Sequence, residues 1–147
     1  NGEVTSMSMR SIETALANSL IPVVYGDVSL DSEIGGTIIS TEKLFFYLST
    51  TLLVHRVFLL GEVVGVYSLS GETVGVIIPS NYMSLFSSLG GSSGTDVTGG
   101  METKVEDMLS VVRRFPAMTI RIFSGVVKNL LHDTLIGTAQ PGTLISN

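Results

Sequence analysis

The sequence predicts an α/β fold organised on an open, mainly parallel sheet. Short apolar runs alternate with segments of helical periodicity along the chain. Charged residues are only 14% of the 147 residues against 44% apolar, with a mean hydropathy of +0.48, so much of the chain must be covered, as in a parallel sheet buried on both faces. Acidic and small residues gather just past predicted strands, where open α/β sheets bind ligands.

Ser11–Ser19 is a helical segment with Ile12, Ala15, Leu16 and Ser19 on one side. The apolar run Ile21–Asp27, IPVVYGD, follows as a buried strand. VSLDSEIGGTIIS reads as a hairpin or irregular crossing turning at Gly35-Gly36. TEKLFFYLSTTLL sets Leu44, Phe45, Leu48 and Leu52 at helical spacing, with Ser40 or Thr41 as N-cap and Glu42 or Lys43 in the first turn. Arg56–Leu60 is a strand that ends in Gly61-Glu62 and resumes at Gly65.

Between Gly71 and Gly94 the pattern weakens. TVGVIIP fits an edge strand ended by Pro79, NYMSLFSSL a short helix and GGSSG a loop, so residues 71–97 are read as an insertion or mobile loop within one domain spanning 1–147. GGMETKVEDMLSVVRRF is helical, with Met101, Val105, Met108 and Val112 on one face and Arg113-Arg114 at the favourable C-terminal end. Pro116 closes it. MTIRIFSG is a strand, VVKNLLHD a short helix, and IGTAQPGTLIS a turn and last strand.

Composition excludes several classes of function. A net charge of −5 argues against nucleic acid, which is met by basic patches. The most apolar stretch, LLVHRVFLLGEVVGVY, is broken by His55, Arg56 and Glu62, which argues against a membrane span. The start, NGEVTSMSMRS, has no signal-peptide pattern and does not resemble a natural beginning. Without cysteine there is no disulfide or thiolate site, which fits a cytoplasmic setting. Two distant histidines, His55 and His132, make a histidine metal site an unfavoured reading, and no metal ligand is assigned.

TDVTGGMETKV, residues 95–105, has two chemical readings. Gly99 and Gly100 can be a plain loop running into a surface helix, with Lys104 solvated. They can equally form a phosphate cradle, because the first N–H groups of a helix are unpaired and the macrodipole there is positive.

The order PVVYGDVSLD, GGTIIS, FLLGEVVGVY, TGGMETKV and a closing PGTLIS resembles the C-terminal half of the amino acid kinase superfamily, and most closely the isopentenyl phosphate kinases. The similarity runs from about Ile21 onward. It implies a three-layer α/β/α sandwich of which this chain is the nucleotide-binding portion. It also implies a phosphotransferase that moves the γ-phosphate of ATP, with Mg²⁺, onto isopentenyl phosphate in isoprenoid biosynthesis, in a homodimeric full-length protein. Such catalysis is mostly positioning and charge neutralisation.

Transferred position by position, the resemblance sets Gly99 and Gly100 beside the nucleotide phosphates and makes Lys104 the cation that meets them. Glu62 matches an acidic residue next to the nucleotide. Thr41 and Glu42 occupy the place of a family Gly-Asp pair, the first beside the acceptor phosphate and the second holding the catalytic cations. Gly26 and Asp27 fall near the acceptor phosphate, although Gly-Asp after a strand is also an ordinary turn.

The sequence departs from the family pattern at these points. Glutamates at 42 and 62 stand where the family has aspartates, and threonine at 41 where it has glycine. The strand-one lysine, the glycine-rich phosphate loop and the glycine-flanked histidine of the family's N-terminal half have no counterpart here. The expectation is therefore a C-terminal fragment, inactive alone. A different acceptor within the superfamily and a non-catalytic nucleotide-binding domain stay open as alternatives.

Overall fold

A strand buried on both edges needs two neighbours, and the apolar run around Ile120 has them. The computed structural model describes residues 2–68, 70–86 and 99–147, and divides the chain into two compact units, Asn1–Leu53 and Val54–Asn147. In the second unit, β5 (Thr119–Ser124) lies between β3 (Arg56–Gly61) and β6 (Thr143–Ile145), and β4 (Val76–Ile77) closes the order β3-β5-β6-β4. The pairs β3/β5 and β4/β6 are parallel and β5/β6 is antiparallel, which agrees with the mainly parallel sheet expected.

Register explains the core of this unit. Val57, Ile120, Ile145 and Ile77 lie opposite one another across all four strands, and all are buried. The next row, Phe58, Arg121, Leu144 and Val76, is half-buried to exposed. Helix α4 (Gly99–Arg114) packs on β5 and β6 and buries Val105, Met108, Leu109, Val111 and Val112. Each such side chain removed from water contributes about 1.5–3 kcal/mol. Partial burial lowers the pKa of Arg121, whose guanidinium donates to the Pro141 carbonyl at 2.9 Å.

Helix α3 (Pro79–Phe86) is tied to α4 by the Tyr82 hydroxyl, which donates to Glu106 at 2.8 Å. Burial, and then the Glu106 carboxylate, push the Tyr82 pKa up. Tyr82→Phe keeps the ring and removes this bond, so urea unfolding should show a loss of about 1 kcal/mol. A raised acid pKa is a stabilisation present in full below the unfolded value, about 10, and lost as pH climbs above it. The variant should therefore show a flatter stability decline than the parent above that pH. Equal declines would contradict the assignment.

The segment read as an insertion contributes β4 and α3 up to residue 86, and its remainder, with the GGSSG loop, lies outside the described residues. The last helix forms later than expected, as α5 (Leu130–Leu135), because Asn129 adopts a left-handed conformation at φ 63°.

In the first unit, α1 (Arg10–Ala17) buries Ile12, while Leu16, expected on the same covered side, is largely exposed. α2 (Thr41–Thr51) begins after Ser40, whose hydroxyl accepts from the Lys43 N–H at 3.3 Å. That selects Ser40 over Thr41 as the cap.

Two expectations need correction. Ile21–Asp27 is not a buried strand: Ile21, Val23 and Tyr25 are exposed, and the residues between them only half-buried. The two-residue period of an extended chain is there, but among the described residues no strand lies beside it to complete a ladder. Nor is Gly35-Gly36 the turn. β1 (Val28–Asp31) pairs antiparallel with β2 (Gly35–Ile38), so the turn is Ser32–Ile34. The Asp31 carboxylate accepts from the N–H groups of Glu33 at 2.8 Å and Ile34 at 3.1 Å, and Gly35 at φ 82° closes the turn. With the Gly2 N–H as its strongest partner, that carboxylate is held well below the usual aspartate range.

Candidate active site

In the first unit, Gly26 and Asp27 meet the start of α2. A Cβ on Gly26 would lie 2.3 Å from the Ile39 carbonyl oxygen and 3.2 Å from the Thr41 nitrogen, so only glycine lets the two backbones touch. The Ile39 N–H donates to the Asp27 carbonyl at 3.0 Å. The YGD and STEK stretches, distant in sequence, are thus brought side by side. Asp27 is exposed, its carboxylate accepting from its neighbour's N–H at 2.7 Å, and Thr41 is exposed next to half-buried Glu42.

A cavity of about 560 Å³ opens beside this junction, lined by Tyr25, Asp27, Leu30, Asp31, Ile39 and Leu44 among others. Its walls mix carboxylates and hydroxyls with apolar side chains, which suits a small ligand having a polar and an apolar end. Lys43, at the same helix start, pairs with Glu3 at 3.1 Å and donates to the Gly2 carbonyl.

In the second unit, the parallel strands β3 and β5 end level, Gly61 opposite Ser124. The Gly125 N–H donates to the Gly61 carbonyl at 2.8 Å. Glu62 follows immediately and is exposed, just past the carboxyl end of a parallel strand. Gly99 and Gly100 are the first two residues of α4, and Lys104 lies one turn beyond Gly100, half-buried. The helix start is thus a real one, whose first N–H groups have no partner within the helix itself, with a lysine one turn along it.

Neither histidine joins these groups. His55 is exposed between α2 and β3, and His132 is exposed with Nδ1 3.0 Å from Asp133. Among the described residues no three His, Cys, Asp or Glu side chains cluster to hold a metal, and no helix is long and apolar enough to cross a membrane.

The closing PGTLIS marks Gly142 and Thr143 as part of a family motif, but the sequence alone assigns them no role. A Cβ on Gly142 would fall 2.7 Å from the Val64 carbonyl oxygen, and Thr143 Oγ1 accepts from the Val66 N–H at 2.8 Å. Both therefore touch the chain just beyond Glu62. The available signal was a Gly-Thr pair before a short apolar strand, which alone looks like a turn.

Comparison with known proteins joins these observations. The amino acid kinase family profile matches residues 1–124. An isopentenyl phosphate kinase of Haloferax volcanii is 36% identical over 106 residues, covering 72% of this chain and 42% of the relative. One from Methanothermobacter thermautotrophicus is 29% identical over 150 residues, covering 99% of this chain and 56% of its own length. A solved isopentenyl phosphate kinase superposes with a TM-score of 0.75 at 26% identity, over 99% of this chain and 53% of that one. N-acetylglutamate synthase from Neisseria gonorrhoeae shares the fold, with a TM-score of 0.71 at 11% identity. The chain spans about half the length of the curated relatives it matches. With its α/β architecture, its paired glycine approaches and a family match over most of its length, this chain belongs to the amino acid kinase family.

Proposed function

We propose that the complete protein is an ATP-dependent phosphotransferase of the isopentenyl phosphate kinase type. The observation that carries this is the ordered series YGD, STEK, LGEVVGVY, GGMETK and PGTLIS, in a chain whose similar proteins include isopentenyl phosphate kinases. An oxygen of isopentenyl phosphate attacks the γ-phosphorus of ATP. The bond to the β–γ bridging oxygen breaks, and isopentenyl diphosphate and ADP result.

The residues divide this work by charge and by access. Gly99 and Gly100 let the phosphates approach the first N–H groups of α4, and Lys104 neutralises charge on the transferring group. Glu42 holds the catalytic cations in place, and Glu62 contacts the nucleotide. Gly26, Asp27 and Thr41 border the acceptor phosphate. Mg²⁺ would be carried by the ATP phosphates and would offset their charge, and no residue of this chain is assigned to it. The complete protein is expected to be a cytoplasmic homodimer.

An acceptor panel with the full-length protein tests this reading. Strong preference for a small prenyl monophosphate is expected, and better turnover of an acylamino acid or a nucleotide would overturn it. A second reading, a nucleotide-binding domain without catalysis, is favoured by the glutamates at 42 and 62 and by Thr41. Tight Mg-ATP binding with no turnover of any acceptor would select it.

A further inference from the structure

We infer that Thr143, seated beside Gly142, is a positioning residue for the nucleotide loop: its single hydroxyl fixes the segment that presents Glu62. The inference rests on the kinase reading of that loop.

The segment 62–65 is held at both ends. At its start, Gly61 accepts from the Gly125 N–H at 2.8 Å. At its end, the Val66 N–H donates to Thr143 Oγ1 at 2.8 Å, and the same hydroxyl donates to the Val74 carbonyl at 2.7 Å. Val66 and Val74 are themselves joined, Val74 N–H to Val66 carbonyl at 2.8 Å. One buried hydroxyl thus ties both arms of the small turn that continues the Glu62 loop, acting as acceptor to one arm and donor to the other. Thr143 is 0% exposed, so water cannot replace either bond.

The contact is also steric. A Cβ on Gly65 would stand 2.9 Å from Thr143 Oγ1 and 3.2 Å from the Gly142 Cα. The Thr73 methyl group stands closer still, at 2.7 Å, so Gly65 is enclosed by Thr73, Thr143 and the Gly142 backbone. Glu62 itself stays exposed while its flanks are fixed, as a ligand-facing side chain on a rigid support requires. Since β6 carries Thr143 and pairs with β5, the loop is referenced to the central strand of the unit.

Thr143→Val keeps the shape and removes both bonds, whereas Thr143→Ser keeps both. In the full-length protein, Thr143→Val should raise the KM for ATP about five- to tenfold with the acceptor KM within about twofold of the parent, and Thr143→Ser should return the ATP KM to within about twofold. A role in packing alone predicts instead that serine, which lacks the methyl group, is no better than valine, or that both KM values move together; either result overturns the inference. If Thr143→Val does not fold, hydrogen exchange on the parent decides. A non-hydrolysable ATP analogue should slow exchange of the Val66 amide at least about fivefold, and an unchanged rate is a refutation. Absence of nucleotide binding by the parent would remove the kinase reading and this inference together. Normal binding with Thr143→Val unchanged would remove this inference alone.

Discussion

Gly142→Ala is expected to abolish folding of the second unit, with almost no soluble protein recovered. Gly142 has φ 66°, a left-handed conformation that costs a residue with a Cβ about 1–2 kcal/mol. The steric term is larger. The new Cβ would lie 2.0 Å from the Ile122 carbonyl oxygen, 2.7 Å from that of Val64 and 2.9 Å from Phe123 Cβ. Two of these are backbone atoms, and Ile122 belongs to β5, which is paired on both edges. Relief would require moving the central strand against β3 and β6. Together the two terms exceed about 4 kcal/mol, in the range where a single change removes most of a domain's 5–15 kcal/mol. Gly137 provides the control, with φ 84° and, among the described residues, nothing within 4 Å of its added Cβ. Gly137→Ala should lower stability by only about 1 kcal/mol. Equal losses in the two variants would show that conformation, not contact, governs position 142.

What was legible in the sequence follows from how local its causes are. Helix α4 was visible because sixteen residues repeat an apolar face that ends in two arginines. Strand β5 was visible because apolar side chains on both of its faces meet protein. The turn after β1 was misread because its cause is a side chain: Asp31 caps two N–H groups, so Gly35 comes after the turn. Ile21–Asp27 carries a strand's composition, yet a strand is defined by a neighbour its own residues do not specify. Likewise, no periodicity links Gly26 to Thr41, or Thr143 to Val66. These pairs depend on a missing Cβ and on one buried hydroxyl, and neither has a period. The resemblance caught the motifs that surround such contacts without revealing the contacts.

The sharpest separation of stability from function lies at the start of α4. On the kinase reading proposed above, Lys104→Ala is expected to lower kcat/KM of the full-length protein by about 10²–10³, or about 3–4 kcal/mol of transition-state stabilisation, the scale of removing one preorganised donor to developing charge. Its thermal stability should fall far less than its activity, because the packing of this helix is made by Val105, Met108 and Leu109. Lys104→Arg should recover only part of the activity, since a planar fork does not substitute for a compact ammonium. Gly100 sharpens the test by moving the two properties in opposite directions. Glycine inside a helix costs about 0.5–1 kcal/mol relative to alanine, and among the described residues an added Cβ at Gly100 has nothing within 4 Å. Nothing in the packing of the described chain demands glycine there. Gly100→Ala should therefore raise the melting temperature of the protein while, on the proposed phosphate site, weakening ATP binding, because the methyl group would stand where phosphate has to approach the backbone. If Gly100→Ala gained stability at unchanged ATP affinity, and Lys104→Ala kept full turnover, the start of α4 would be an ordinary helix end and the phosphate site would have to lie elsewhere.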